Sequence, residues 1–270
     1  MFRIGIVGAG AIGKEIARAI DSGVVPARLE AIWDRDAAEA RSFAASLKSP
    51  PQVLPLPELV EASNFVVEAA SQAAVREVAL AALTRSRSVM VLSVGAFADA
   101  ELLQTVRSLA KKHQCSVVVP SGAVCGLDGV KSAAIGRIDS VTITTRKPIE
   151  GLRGAPFIVR HKIDIDRFTE PTEIFSGPAA LAIKEFPANV NVAASLSLVG
   201  VGFDKTQVRV VVDPGIRRNM HEIVVRGEFG ELHTTVENVP SQANPKTSYL
   251  AALSAIATLK QVCEPLKIGT

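Results

Sequence analysis

The sequence predicts an α/β protein in two parts, a doubly wound parallel sheet followed by a second α+β domain with a mostly antiparallel sheet. Three observations predict it. An apolar run, Phe2–Val7, leads straight into closely spaced glycines and an amphipathic stretch. Strand-like and helix-like segments then alternate as far as residue 130, the pattern of a parallel sheet with crossover helices. Beyond that point helices become sparse and short β runs take over.

In the opening "MFRIGIVGAGAIGKEIARAI", Gly8, Gly10 and Gly13 form G-x-G-x-x-G, and Ile12, Ile16, Ala19 and Ile20 recur at helical spacing. This is the Rossmann-type order of strand, glycine triplet and helix. The first glycine permits a tight turn, the second lets the backbone approach a pyrophosphate, and the third lets helix and strand pack closely. A helix N-terminus there offers unpaired N–H groups and a positive dipole end. Gly8, Gly10, Ile12 and Gly13 are therefore the expected dinucleotide-binding stretch. The next strand, "RLEAIWD", ends at Asp34, roughly 20 residues beyond the triplet, where a ribose-binding carboxylate belongs. An aspartate at a strand end also suits an ordinary turn; after this triplet the ribose role is favoured. Its charge repels a 2′-phosphate, so the expected cofactor is NAD. Arg35, next along the chain, leaves NADP acceptable.

Alternation continues through "NFVVEAA", "QAAVREVALAALT", "SVMVLSVGA", "DAELLQTVRSLAKKH" and "CSVVVPSGA". Ligands of such sheets lie at the carboxyl ends of the strands. Three loops of small residues follow strand ends there, at 69–72, 93–97 and 121–126. Their lack of bulk suits backbone contact with a cofactor, and is equally common in tight connections.

The second part reads as strands in "SVTITTRKP", "FIVRHKI", "TEIFSG", "QVRVVVD" and "MHEIVVRGEFGELHTTVE", interrupted by a helix in "PANVNVAASLSLVGVG" with Pro187 near its start. In the last helix, "NPKTSYLAALSAIATLKQV", Asn244 suits the cap, Pro245 the first turn, and Leu250, Leu253, Ile256 and Leu259 a buried stripe. The expected domains are a dinucleotide-binding domain over 1–130, a substrate, catalytic and oligomerisation domain over 131–244, and a terminal helix over 245–270 packing back on the first.

Composition narrows the function. Apolar residues make up 48% and charged residues 21%, with a net charge of +3 and one Trp and one Tyr, so a globular chain is expected. Neither a basic stripe nor stacking aromatics point to nucleic acid. Cys115, Cys125 and Cys263 lack metal-ligand spacing, and no metal site is expected. No apolar run is long enough for a bilayer, and a strand beginning at Phe2 leaves no room for a signal peptide. A cytoplasmic protein without membrane attachment is the expectation.

Within "NMHEIVV" the strand alternation puts Asn219, His221, Ile223 and Val225 on one face. By its environment alone His221 is either a core histidine with a satisfied hydrogen bond or the reason for that surface. His113 ends a polar helix, while His161 lies between Arg160 and Lys162 and His233 follows a hairpin-like stretch. These three read as surface residues.

Nearly end to end, the chain resembles the L-aspartate dehydrogenases. The carriers are "GIVGAGAIG", "LSVGAF", "VPSGAVCGLDG", "TRKP", "FPANVNVAASLSLVGVGFDKTQVRVVVDP", "RNMHEI" and "NPKTS"; the last blocks, in that order, are the specific ones. The resemblance implies an NAD(P)-dependent oxidation of L-aspartate to iminoaspartate, which water hydrolyses to oxaloacetate and ammonia and which feeds NAD biosynthesis. It implies His221 as the catalytic residue, and Asn189 and the backbone of Ala123 as contacts of the nicotinamide cofactor. Read alone, Asn189 could start a helix and Ala123 could merely pack. The expected assembly is a homodimer. A histidine base would give a rate that rises through about pH 6–8. Arg146, Lys147 and Lys246 are candidate partners for the two substrate carboxylates. Two rivals remain at this stage, another small nicotinamide-dependent imine or aldehyde reductase and a non-catalytic NAD-sensing protein.

Overall fold

The computed structural model describes residues 1–187, 191–241 and 247–269. Two compact units divide the chain, Met1–Pro120 with Ala252–Lys267, and Ser121–Ala251 with Ile268–Thr270.

In the first unit six strands form one sheet: β1 (Phe2–Val7), β2 (Ala27–Trp33), β3 (Gln52–Val53), β4 (Phe65–Glu68), β5 (Ser88–Val91) and β6 (Val117–Val118). Their order is β3-β2-β1-β4-β5-β6, and every pairing is parallel. The central strands are apolar on both faces because helices cover both. Strand order reverses between β1 and β4, and a doubly wound sheet opens its ligand crevice at the carboxyl ends beside such a reversal.

The terminal helix, Tyr249–Cys263, contributes Ala255 and Leu259 to the same core as Ile4, Ile6, Ile16 and Ile20. Its buried stripe is Ala252, Ala255 and Leu259, whereas Leu253 is exposed. Of the expected stripe, Leu259 is fully buried and Ile256 packs against the core, while Leu253 stays outside and Ala252 and Ala255 take the other buried positions. Asn244 and Pro245, expected to start this helix, lie outside the described residues.

The second unit carries β7 (Ile138–Lys147), β8 (Thr172–Pro178), β9 (Gln207–Val212), β10 (Asn219–Gly227) and β11 (Gly230–Asn238), in the order β11-β10-β7-β9-β8. Only β7 and β9 run parallel; the other pairings are antiparallel. β10 and β11 form a hairpin closed at Gly227 and Gly230, the latter at φ +111°, where a side chain would be strained. The run "FIVRHKI", residues 157–163, expected as a strand, instead opens within the short helix Pro156–Arg160. Pro156 stands in its first turn, and Phe157 packs against Phe175 and Phe186. Tertiary packing overrode the β-branched local sequence. The helix within the "PANVNV" stretch is described from Asn191 to Val199. No helix among the described residues is long and apolar enough to cross a membrane.

Candidate active site

At the end of β1 the glycine loop is shaped by what it lacks. Gly8 sits at φ +106°, and a Cβ there would press on the backbone of Ala69 and Ala70. Gly13 would collide with the Gly8 carbonyl if it carried a side chain. Gly10 differs from both, because a Cβ built on it meets nothing within 4 Å and its φ of −75° is ordinary. Its freedom from a side chain serves neither the turn nor the packing. It leaves open space beside the start of the helix Ala11–Asp21, whose first turn has no acidic residue and no side-chain cap. Free N–H groups facing open space are what a pyrophosphate requires, so the residues present fit a dinucleotide. Ile12, half-buried, packs against the core beneath.

Asp34 is tied to this loop. Its carboxylate accepts the Ala9 N–H at 2.7 Å and the Asp36 N–H at 2.9 Å. One bond on each oxygen leaves lone pairs for hydroxyl donors. Arg35 is exposed.

Glu68 carries no role in the sequence reading, yet it organises two of the three small-residue loops. It ends β4 fully buried and accepts from Ala70 N–H (2.9 Å), Ser93 N–H (3.0 Å) and the Ser93 hydroxyl (2.9 Å). Burial pushes its carboxyl upward against the opposing pull of these donors. The detectable signal was a carboxylate closing an otherwise apolar strand. The third loop, 121–126, lies along the inner face of β11. Asn238 donates to the Ala123 carbonyl at 2.9 Å, Thr234 donates to the Cys125 carbonyl at 3.4 Å, and a Cβ at Gly126 would meet the Thr234 methyl. Small residues are needed there for the chain to lie on the sheet. The buried Ala123 has its carbonyl engaged by that bond.

On the covered face of the second sheet, alternation brings polar groups together from three strands. Thr145 and Lys147 face inward from β7, Asn219 and His221 from β10, and Asn238 from β11, each less than a tenth exposed. His221 stands opposite Thr145 on one side and Val236 on the other. Its Nδ1 lies 3.0 Å from the Thr145 hydroxyl oxygen. Asn219 donates through Nδ2 to the Ser248 hydroxyl at 3.3 Å and stands opposite Asn238. Burial, and secondarily the charge of Lys147, pushes the His221 pKa from 6.5 down to about 3. Burial alone takes Lys147 from 10.5 down to about 8. A neutral histidine thus sits beside a desolvated cation.

Arg146 points to the other face and pairs with Asp213 at 3.3 Å. His233 is exposed and paired with Glu222 at 3.2 Å, His113 follows the helix Ala100–Lys112 as its cap, and His161 caps the short helix 156–160, stacked on Phe157. Asn189 and Lys246 lie outside the described residues. No cluster of His, Cys, Asp and Glu among the described residues gathers metal ligands.

Comparison with known proteins bears on both units. Residues 128–262 match the family profile described as aspartate dehydrogenase, C-terminal, and residues 8–120 match the homoserine dehydrogenase NAD-binding domain. The chain is 79% identical over 270 residues to the L-aspartate dehydrogenase of Methanocella arvoryzae, all of both chains being covered. It is 52% identical over 271 residues to that of Methanosarcina acetivorans, again with full coverage of both. The crystal structure of aspartate dehydrogenase from Thermotoga maritima superposes with a TM-score of 0.75 at 27% identity, covering both chains completely.

Proposed function

This chain belongs to the aspartate dehydrogenase family, and from that premise we propose that it oxidises L-aspartate to iminoaspartate with NAD, accepting NADP less well. The single observation that carries the reading is His221, buried and held neutral beside the Lys147 cation on the inner face of the second sheet.

The bound cofactor supplies the acceptor for the hydride that leaves Cα. What remains is proton handling and orientation, and these fall to side chains. An ammonium cannot give its lone pair to a forming C=N bond, so the substrate amine must first lose a proton. In the tautomer that gives its Nδ1–H to the Thr145 hydroxyl 3.0 Å away, His221 carries its lone pair on Nε2 and takes that proton there. Burial first, and the nearby cation second, keep His221 from being protonated in advance by solvent. Once the substrate's negative charge arrives, the imidazolium becomes easier to form, so the base is switched on by binding. Lys147 holds one substrate carboxylate, because a desolvated ammonium gains most from an anionic partner. Once His221 has released that proton to solvent, its free nitrogen takes a proton from the water that hydrolyses the imine to oxaloacetate and ammonia.

Gly8, Gly10, Ile12 and Gly13 form the pyrophosphate cradle and Asp34 the ribose acceptor; Ala123 and Asn189 are nicotinamide contacts, Ala123 through its backbone N–H. We place the enzyme in the cytoplasm as a homodimer, with its imine product feeding NAD biosynthesis. Initial rates on a panel of amino acids with each cofactor test the reading. Oxidation of L-aspartate, faster with NAD than NADP, is expected. Absence of aspartate turnover alongside turnover of a cyclic imine or an aldehyde overturns it.

A further inference from the structure

We propose that Asn238 is a ligand-binding residue of this reaction, its amide oxygen accepting an N–H from the bound substrate or cofactor; the proposal rests on the function proposed above. Asn238 closes β11 with its side chain 2% exposed. It stands opposite Asn219, and His221 lies one same-face step further along β10. With roughly 3.4 Å of rise per residue and about 5 Å between strands, the Asn238 and His221 backbones are about 8 Å apart, the span of a small amino acid.

The orientation of the amide is settled by its neighbour. A carbonyl only accepts, so the 2.9 Å contact with the Ala123 oxygen must be made by Nδ2. The oxygen then faces the other way, and this buried Oδ1 has no hydrogen-bond partner among the described residues. Its cross-strand neighbour does not supply one, since Asn219 turns Nδ2 toward the Ser248 hydroxyl. Folded proteins seldom leave a buried acceptor without a donor, because the desolvation is not recovered. Here the missing donor lies on the same face as the proposed base. A neutral oxygen suits that place for a chemical reason. It accepts an N–H from ammonium, amine and imine alike, holding the nitrogen while its charge changes. A carboxylate would clamp the ammonium and oppose the deprotonation that the reaction needs. The α-amine of aspartate and the carboxamide of nicotinamide share this N–H chemistry.

Asn238→Ala and Asn238→Asp, checked for folding by circular dichroism, separate the sources. If the amine is the donor, Asn238→Ala loses roughly 10–100-fold in kcat/KM for aspartate, the scale of a hydrogen bond to a charged group, while NADH affinity stays within about threefold. Asn238→Asp then moves the rising limb of the rate to higher pH. If the carboxamide is the donor, NADH affinity falls by roughly tenfold in Asn238→Ala. The 3-acetylpyridine analogue of NAD, which has a methyl group in place of the amide nitrogen, then weakens the wild type and leaves the variant unchanged. Kinetics and cofactor affinity at wild-type values, with only a lower melting temperature, would overturn the proposal and leave Asn238 a fastener of the 121–126 loop. A wild type inactive on aspartate overturns the underlying function instead, whatever the variants do.

Discussion

At the carboxyl edge of β1 the groups offered to a ligand are backbone N–H groups and space, whereas on the covered face of β7, β10 and β11 they are buried side chains. The first is built from consecutive residues, Gly8 to Gly13, and its chemistry follows from the absence of Cβ atoms. The second is assembled from strands far apart in sequence, with Thr145 and His221 in contact across 76 positions. The difference teaches where each is vulnerable. A backbone cradle is damaged by adding atoms. A side-chain cluster is damaged by removing them, and also carries an electrostatic burden that the cradle does not.

The largest effect is expected from His221→Ala, which removes the proposed base. Turnover falls roughly 10²–10⁴-fold, the scale of one general acid–base group, while NADH affinity measured by calorimetry is unchanged. A folded variant that oxidises aspartate at the wild-type rate would return His221 to the status of core filler and reduce the second face to packing.

The counterpart in the cradle is Gly10→Val. Its side chain enters open space, so the melting temperature is kept while NAD affinity drops by about 100-fold or more, since the phosphates lose their backbone contacts. Gly8→Ala inverts the outcome. With φ at +106° and the Ala69 backbone in the way, it destabilises the fold by about 1–3 kcal/mol. Equal thermal behaviour of the two variants would show that the glycines do not divide their work as described.

Lys147→Met sharpens the electrostatic side of the comparison. Below about pH 8 the ammonium is charged and binds a carboxylate; as pH rises through about 8 the charge and the binding are lost. The variant should raise KM for aspartate by roughly 10–100-fold at neutral pH, in line with a charge-assisted hydrogen bond, and lack the KM increase expected above pH 8 in the wild type. Stability runs the other way. The folded pKa lies below the unfolded 10.5, so folding is weakened as pH falls from 10.5 to about 8 and stays weakened below. A less stable variant with an unchanged KM would remove Lys147 from the substrate site.

The smallest effect belongs to Asp34→Ala. Loss of the proposed ribose acceptor and of its repulsion toward a 2′-phosphate should shift the ratio of NAD to NADP efficiency by about tenfold toward NADP, the worth of one hydrogen bond to a charged group. Because Asp34 also holds the Ala9 N–H, a small loss of stability accompanies it. Unaltered cofactor discrimination would leave Asp34 only this structural duty.

Sequence by itself determined the doubly wound sheet, the glycine cradle and the face on which His221 points, because each rests on short-range periodicity or on contiguous residues. Binary alternation in β10 is enough to turn Asn219 and His221 inward, and three glycines at fixed spacing are enough to bend β1 into its helix. Tertiary structure alone decided that residues 156–160 coil around a phenylalanine cluster, that Ala252 and Ala255 join Leu259 in seating the terminal helix while Leu253 stays outside, and that Glu68 fastens two loops. It also decided the charge state of the polar face. The pKa of His221 moves to about 3 and that of Lys147 to about 8 through burial, and for His221 through a neighbour brought in from another strand. Desolvation and cross-strand proximity are properties of the packed chain, and no local pattern of residues contains them.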